Sequence, residues 1–161
     1  MSRRSPRPRP KTRAELLARE AADWAELTDA CRGLPEAALL APGASGPTWS
    51  VKDVLNHVAA WQEAALRIIP EYLAGRRATL GHGTDRFNAE QHAADAGRSL
   101  AATRRRVHAS RRALLALLDQ VPDAALLDPA GRINWWVRYT TYSHYGEHIG
   151  NLAAFAEQRR K

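Results

Sequence analysis

Apolar residues recur every three or four positions along most of this chain, which predicts a series of amphipathic helices. The first helix is predicted over residues 12–32, where Gly33 and Pro35 end it. Its apolar face consists of Leu17, Trp24, Leu27 and Cys31. The second helix is predicted to begin after Ser50, a favoured N-cap that forms a capping-box-like pair with Asp53.

The second helix is predicted to continue to about residue 77. Its apolar positions repeat at helical spacing, and they are Val51, Val54, Leu55, Val58, Trp61 and Ala65. Pro70 lies inside this segment and is expected to kink or split the helix, because proline lacks the backbone N–H and its ring clashes with the preceding turn.

A turn at residues 81–85 precedes a third predicted helix over residues 86–120. Its second half is strongly amphipathic, whereas residues 88–95 have few large apolar side chains and are expected to fray or to face something other than a dry core. A linker at residues 122–132 leads to a fourth predicted helix over residues 134–158. These segments predict an all-α fold, a four-helix bundle.

The net charge of +7 belongs almost entirely to the N-terminus. Residues 1–13 hold six Arg or Lys and no acid, so the rest of the chain has a net charge of only +1. The Pro/Arg alternation of residues 5–10 suits neither helix nor sheet. We therefore expect a disordered basic tail over residues 1–13 that binds nucleic acid at most weakly, and a folded domain over residues 14–158.

Composition is that of an ordinary globular domain, with 45% hydrophobic and 7% aromatic residues. No apolar run approaches the roughly 20 residues of a membrane span, and no hydrophobic stretch of a secretory signal follows the basic N-terminus. A cytoplasmic protein with no membrane partner is expected. The lone Cys31 cannot form an internal disulfide and is interpreted as a small core residue near a helix end.

Two histidines interrupt the apolar face of the fourth helix. His144 and His148 are four residues apart, so they lie roughly 40° apart on the helix surface. The same face carries Val137, Thr141, Leu152 and Phe155. Imidazoles within a buried face are costly unless something binds them.

His57 on the second helix also faces the predicted core, between Val54 and Trp61 on the helical wheel. Neutral imidazole is a good ligand for Zn, Ni, Fe or Cu. An i, i+4 pair and a third histidine from a facing helix would leave coordination positions open for water or substrate. The three histidines are therefore a candidate metal site, and the alternative is a set of hydrogen-bonded core residues.

Glu147 lies roughly 60° away from the two-histidine face. Two interpretations are open, a proton-transfer group and a solvated charge. Trp61, one turn after His57, is the aromatic residue expected beside the site. The aromatic residues of the fourth helix either line a pocket or pack in the core, and they are Trp135, Trp136, Tyr139, Tyr142 and Tyr145. Surface positions are expected for His82, His92, His108 and the arginines of the third helix.

Three segments of the chain carry a family pattern. They are WSVKDVLNH at residues 49–57 with Ala60-Trp61, DRFNAE at residues 85–90, and TYSHYGEHI at residues 141–149. In this order they resemble the DinB-like superfamily, and specifically its ClbS/DfsB branch, over about residues 12–158. The resemblance implies a four-helix bundle with an unusual connection order, in which a divalent metal such as Zn, Ni or Fe is often bound at the positions of His57, His144 and His148.

The resemblance also implies a function in small-molecule detoxification. Proteins of the ClbS/DfsB branch protect the producing cell by hydrolysing an electrophilic, DNA-alkylating metabolite, and some other relatives transfer or activate low-molecular-weight thiols. The leading expectation is a hydrolase whose water is activated by a metal, or by His144 and Glu147. Trp61, Asn88 and Trp136 are expected to shape the pocket of the electrophile.

Two further classes of function stay open at this stage. One is a non-catalytic binder that sequesters a metabolite or shields DNA. The other is an interaction bundle whose histidines are packing residues. The oligomeric state is left open by the sequence, and a homodimer is one candidate.

Overall fold

The computed structural model describes residues 7–160, which form helices and no strand. In chain order the helices are α1 (Arg13–Asp29), α2 (Glu36–Leu40), α3 (Val51–Leu73), α4 (Thr84–Asp95), α5 (Leu100–Leu118), α6 (Asp123–Leu127), α7 (Arg132–Thr140) and α8 (Tyr142–Arg159). The predicted all-α class is confirmed. None of these helices is both long and apolar enough to cross a membrane.

The long helices form a four-helix bundle, with α7 and α8 together as its fourth member. α3 is central and packs on α5 and α7, while α1 packs on α8. One apolar cluster, which includes Leu27, Val54 and Leu152, fills one end of the bundle. A second cluster, which includes Leu16 and Ile69, fills the other end.

The predicted start of α3 is confirmed, because Ser50 and Asp53 form a complete capping box. The Asp53 amide donates to Ser50 Oγ at 3.2 Å, and the Ser50 amide donates to Asp53 Oδ2 at 2.9 Å. α3 runs through Pro70 without being split and ends at Leu73, a few residues before the predicted end at 77. Gly75, with a φ of +73°, turns the chain away at this point.

The prediction of one helix over residues 86–120 is wrong, since the chain breaks between α4 and α5. Ser99 caps α5, accepting a hydrogen bond from the Ala102 amide at 3.2 Å. α4 buries only Phe87 and Asp95 and lies against α3. Its shortage of large apolar residues follows from this position at the edge of the bundle.

The fourth predicted helix is also divided, because Thr141 has non-helical dihedral angles of −128° and −125°. The break leaves carbonyl groups without helical partners. The hydroxyls of Thr140 and Thr141 donate to the carbonyls of Trp136 at 2.7 Å and Val137 at 2.5 Å. The predicted linker at residues 122–132 additionally contains the short helix α6.

Residues 7–12 have neither helical nor strand conformation, and they lie against the bundle. Arg7 forms an ion pair with the buried Asp23, and Arg9 donates to the carbonyl of Pro129 at 3.2 Å. The remainder of the predicted tail, residues 1–6, lies outside the described residues. Disorder of the tail stays a prediction.

Candidate functional site

The side chains of His57, His144 and His148 converge between α3 and α8. His144 Nε2 lies 2.9 Å from His57 Nε2 and 3.1 Å from His148 Nε2. All three can present a ligand nitrogen within 4.8 Å of the others. His144 and His148 are buried, and His57 is partly buried.

Burial keeps these imidazoles neutral. Desolvation is the main cause of a lowered pKa at each position, and it lowers the pKa of His57 to about 3 and that of His148 to about 4. The pKa of His144 is also far below its ordinary value, first because of burial and then because of its two neighbours. Neutral imidazole is the form that ligates a metal.

The number of protons and lone pairs on the imidazole nitrogens of the cluster shows whether a metal fits. A neutral imidazole nitrogen has either one proton or one lone pair to offer, yet Nε2 of His144 faces two nitrogens at hydrogen-bonding distance. The Nδ1 atoms of His57 and His144 are buried and have no hydrogen-bond partner among residues 7–160. A cation shared by the three Nε2 lone pairs would resolve this crowding, so the donor set fits a divalent first-row metal.

The register of two helices positions the three histidines. The capping box starts α3 so that His57 follows after almost two turns, and the break at Thr141 sets the direction in which α8 leaves. The i, i+4 spacing then brings His144 and His148 onto one face of α8. This part of the site follows directly from the sequence pattern.

A buried polar network, which the sequence reasoning missed, joins α8 to the rest of the bundle next to His144. Gln62 donates to the hydroxyl of Tyr145 at 2.8 Å, and Ser110 donates to Gln62 Oε1 at 2.6 Å. The Tyr145 hydroxyl in turn lies 3.3 Å from Glu20 Oε1, which Arg111 binds in a bidentate pair at 2.7 Å. Polar residues on separate helices gave no local signal of this contact.

An open cavity of about 250 Å³ begins at His57 and His144. Its other walls are Trp61, Thr84, Asn88, Trp135, Tyr139 and Glu147. Trp136, which the sequence analysis placed in the pocket, is buried with its ring centre 6.0 Å from that of Trp61. Its neighbour Trp135 holds the position on the cavity wall instead.

Asn88 fixes the orientation of Trp61. Its side-chain oxygen accepts a hydrogen bond from the indole Nε1 of Trp61 at 3.0 Å. The helix α4, which supplies Asn88 and Thr84, thus forms one side of the cavity. Asn88 of the DRFNAE segment, which was expected to shape a pocket, lines this cavity, and its role toward a ligand stays a prediction.

Glu147 lines the cavity, one residue before His148. Partial burial raises the pKa of its carboxyl above the ordinary value. It makes no hydrogen bond or ion pair with the part of the chain that the structure describes. An unpartnered carboxylate with a raised pKa is available to accept a proton from a bound molecule.

Trp49 lies against His57 of the histidine cluster, and His92 stacks on Trp49. The sequence had predicted a surface position for His92. The two rings stack with an interplanar angle of 1° and centres 5.1 Å apart. The ring of Trp49 also meets that of His57 edge-on at 5.1 Å. His92 is half-buried rather than fully exposed, while His108 is exposed as predicted.

The arginines of α5 divide into two groups, so the prediction that all of them lie on a solvated face is only partly right. Arg104, Arg105 and Arg112 are exposed. Arg106 instead binds Glu63 at 2.7 Å and Asp95 at 2.6 Å, and Arg111 binds Glu20. The paired arginines connect α5 to α3, α4 and α1.

The protein is thus an all-α helical bundle in which three imidazoles converge between two of the helices. A sequence model of the mycothiol maleylpyruvate isomerase N-terminal domain family matches residues 20–141. The chain belongs to this family. The match ends just before His144, so the two histidines of α8 lie outside it. No curated protein matches the chain by sequence.

Solved structures share the fold over nearly the whole chain. An uncharacterised protein of Escherichia coli UTI89 has a TM-score of 0.81 at 16% identity and covers 94% of this chain and 96% of its own. The colibactin self-resistance protein ClbS, solved with a dsDNA, has a TM-score of 0.80 at 16% identity, with coverages of 93% and 98%. DfsB, a sibling lethal factor precursor, has a TM-score of 0.80 at 14% identity, with coverages of 95% and 99%.

The TM-scores of 0.80–0.81 over nearly the whole chain establish the fold. Together with the family match, they confirm the predicted DinB-like assignment, with a bundle of the kind seen in ClbS and DfsB.

Proposed function

We propose that this protein is a small-molecule detoxification enzyme that hydrolyses an electrophilic metabolite at the histidine cavity. The observation that carries the proposal is the convergence of three neutral imidazoles, of which His57 and His144 line an open cavity that the Glu147 carboxylate also lines. The self-resistance role in the name of ClbS supports the same class of function.

His57, His144 and His148 would hold a divalent metal through their Nε2 atoms. Such a metal supplies Lewis acidity that favours deprotonation of water or polarises an electrophile. The histidines would keep their lone pairs available for it down to low pH, because burial disfavours their protonated forms.

Glu147 would accept the proton that the nucleophile loses, since it lines the cavity and has no competing partner within residues 7–160. Trp61, Trp135 and Tyr139 would cover the apolar part of the electrophile and limit access of bulk water. Asn88 would keep Trp61 in place through the indole hydrogen bond.

The second candidate is metal-dependent transfer of a low-molecular-weight thiol to the electrophile. It is favoured by the match to the mycothiol maleylpyruvate isomerase N-terminal domain family. The same three histidines and Glu147 would serve this reaction, with a thiol in place of water as the nucleophile.

The proposal is tested by the metal content of the tag-free full chain, measured by mass spectrometry after growth with added Zn, Ni and Fe salts. About one metal per chain is expected, and His144→Ala should lose it, while the matched control His108→Ala, which changes an exposed histidine, should keep it. A native protein without metal would contradict the metal-based proposal.

The nature of the nucleophile is tested with styrene oxide as the electrophilic probe, in the presence and absence of N-acetylcysteine. Diol formation without thiol supports hydrolysis. Turnover only with the thiol assigns the protein to the thiol transferases instead. Depletion that saturates at one probe per chain indicates a non-catalytic binder.

A further inference from the structure

A second cavity, of about 400 Å³, lies between the C-terminal part of α1 and the N-terminal half of α5. It shares no lining residue with the histidine cavity. Leu55, which lines it from α3, precedes His57 by two residues, so the two side chains leave nearly opposite faces of the helix. The cavity is therefore separate from the site described above.

The walls of this cavity are mainly aliphatic. They include Leu27, Leu34, Leu39, Val107 and Leu152, all of which are otherwise buried in the bundle. No part of the proposed reaction uses this space. An apolar cavity larger than that of the candidate active site favours a ligand with a hydrocarbon body.

The charged groups around the cavity are mostly basic. Arg104 lines it and makes no hydrogen bond or ion pair within residues 7–160, and α5 contains no acidic residue. Asp29 is the only acid among the lining residues, and Arg32 already binds it in an ion pair. Arg160 lies near the same end, donating to the carbonyl of Arg32 at 3.1 Å.

We propose that this cavity binds an aliphatic monocarboxylate of medium chain length, with its hydrocarbon chain among the leucines and its carboxylate on Arg104. A free guanidinium offers two parallel N–H donors that match a carboxylate. The aliphatic walls bind the chain by excluding water from it. The inference does not depend on the proposed function, because no histidine of the metal cluster takes part.

Cys31 supplies a built-in reporter of occupancy. It is the only cysteine of the chain, it lines the cavity, and it is buried. Burial raises the pKa of its thiol, which slows alkylation, while the nearby Arg160 opposes this shift. A ligand in the cavity would block access to the sulfur further.

The experiment is calorimetric titration of the full chain with sodium decanoate, with alkylation of Cys31 by iodoacetamide as the location test. Saturable binding of one decanoate per chain and protection of Cys31 are expected. Arg104→Gln should weaken decanoate binding by about tenfold, because it removes a charge-assisted contact to the carboxylate. Arg105→Gln is the matched control, since Arg105 is the exposed neighbour outside the cavity lining, and it should bind like the native protein.

The proposal is overturned if decanoate does not bind, or if Arg104→Gln binds it as tightly as the native chain does. Equal affinity for 1-decanol would also overturn it, because the carboxylate would then contribute nothing. Metal content should be unchanged in Arg104→Gln, so failure here is distinguishable from failure of the histidine site.

Discussion

At the residue scale, a substitution at Glu147 shows whether this carboxylate has a catalytic role or is only a solvated charge. Glu147→Gln removes the proton acceptor and keeps nearly the same shape. We expect turnover of the electrophilic probe to fall by about 100-fold, the usual loss for a general base, with metal content unchanged. The matched variant Glu157→Gln lies two turns or more further along α8 and should keep full activity.

If metal content falls together with activity, the role of proton acceptor is contradicted, because Glu147 would then be needed for metal binding. Unchanged turnover would assign Glu147 to the solvated surface.

The histidines themselves predict how the metal-free protein responds to acid. Their folded-state pKa values lie below the ordinary value near 6.5. The unfolded chain therefore binds protons first as the pH falls below about 6.5, so stability declines from there toward acidic pH. Each such buried histidine adds a slope of up to about 1.4 kcal/mol per pH unit.

Urea denaturation between pH 7 and pH 4, in the presence of a chelator, measures this decline. His144→Gln has one titrating group fewer, so its stability should depend less steeply on pH. Equal slopes for the two proteins would mean that His144 is not held neutral in the folded state.

At the scale of the element, the start of α3 determines where His57 lies. Ser50→Ala removes the side-chain half of the capping box and should destabilise the protein by about 1 kcal/mol. Ser50→Thr keeps a hydroxyl at the cap and should cost less. Thermal unfolding of both variants gives the comparison, and an Ala variant as stable as the native protein would show that the cap contributes nothing.

The buried network between α3, α5 and α8 carries the second prediction at this scale. Gln62→Leu removes the hydrogen bonds of Gln62 to the Tyr145 hydroxyl and to Ser110, which keep their contacts to Glu20 and to the carbonyl of Val107. A loss of about 1–3 kcal/mol is expected from the two buried hydrogen bonds that disappear. Combining it with Tyr145→Phe should cost less than the sum of the two single changes, and denaturant unfolding of all four proteins measures this coupling.

At the scale of the whole molecule, the uneven charge distribution predicts how the chain meets nucleic acid. Residues 1–6 contain Arg3 and Arg4 and no acid. Deleting them should lower the salt dependence of DNA binding, with the slope of log K against log salt decreasing by about 2. Fluorescence anisotropy with a labelled duplex measures the slope, and a steep slope that survives the deletion would locate binding on the folded domain instead.

Local patterns in the sequence predicted much of the architecture. The apolar period identified the all-α class and the bundle, and Ser50 with Asp53 marked the start of α3. The breaks within the third and fourth predicted helices were missed, because an apolar period does not change where a helix merely alters direction. Ser99 and Gly97 were the local signals of the first break, whereas Thr141 is not a typical helix breaker.

The same division applies to the site. The i, i+4 spacing alone determined that His144 and His148 share a face, since helical geometry is local. Only the tertiary structure decided that His57 Nε2 lies 2.9 Å from His144 Nε2. It also decided that Trp135 rather than Trp136 reaches the cavity, and that Glu20, Gln62 and Tyr145 form one network. Those contacts depend on how helices far apart in sequence pack together, and the cavity between α1 and α5 has the same origin.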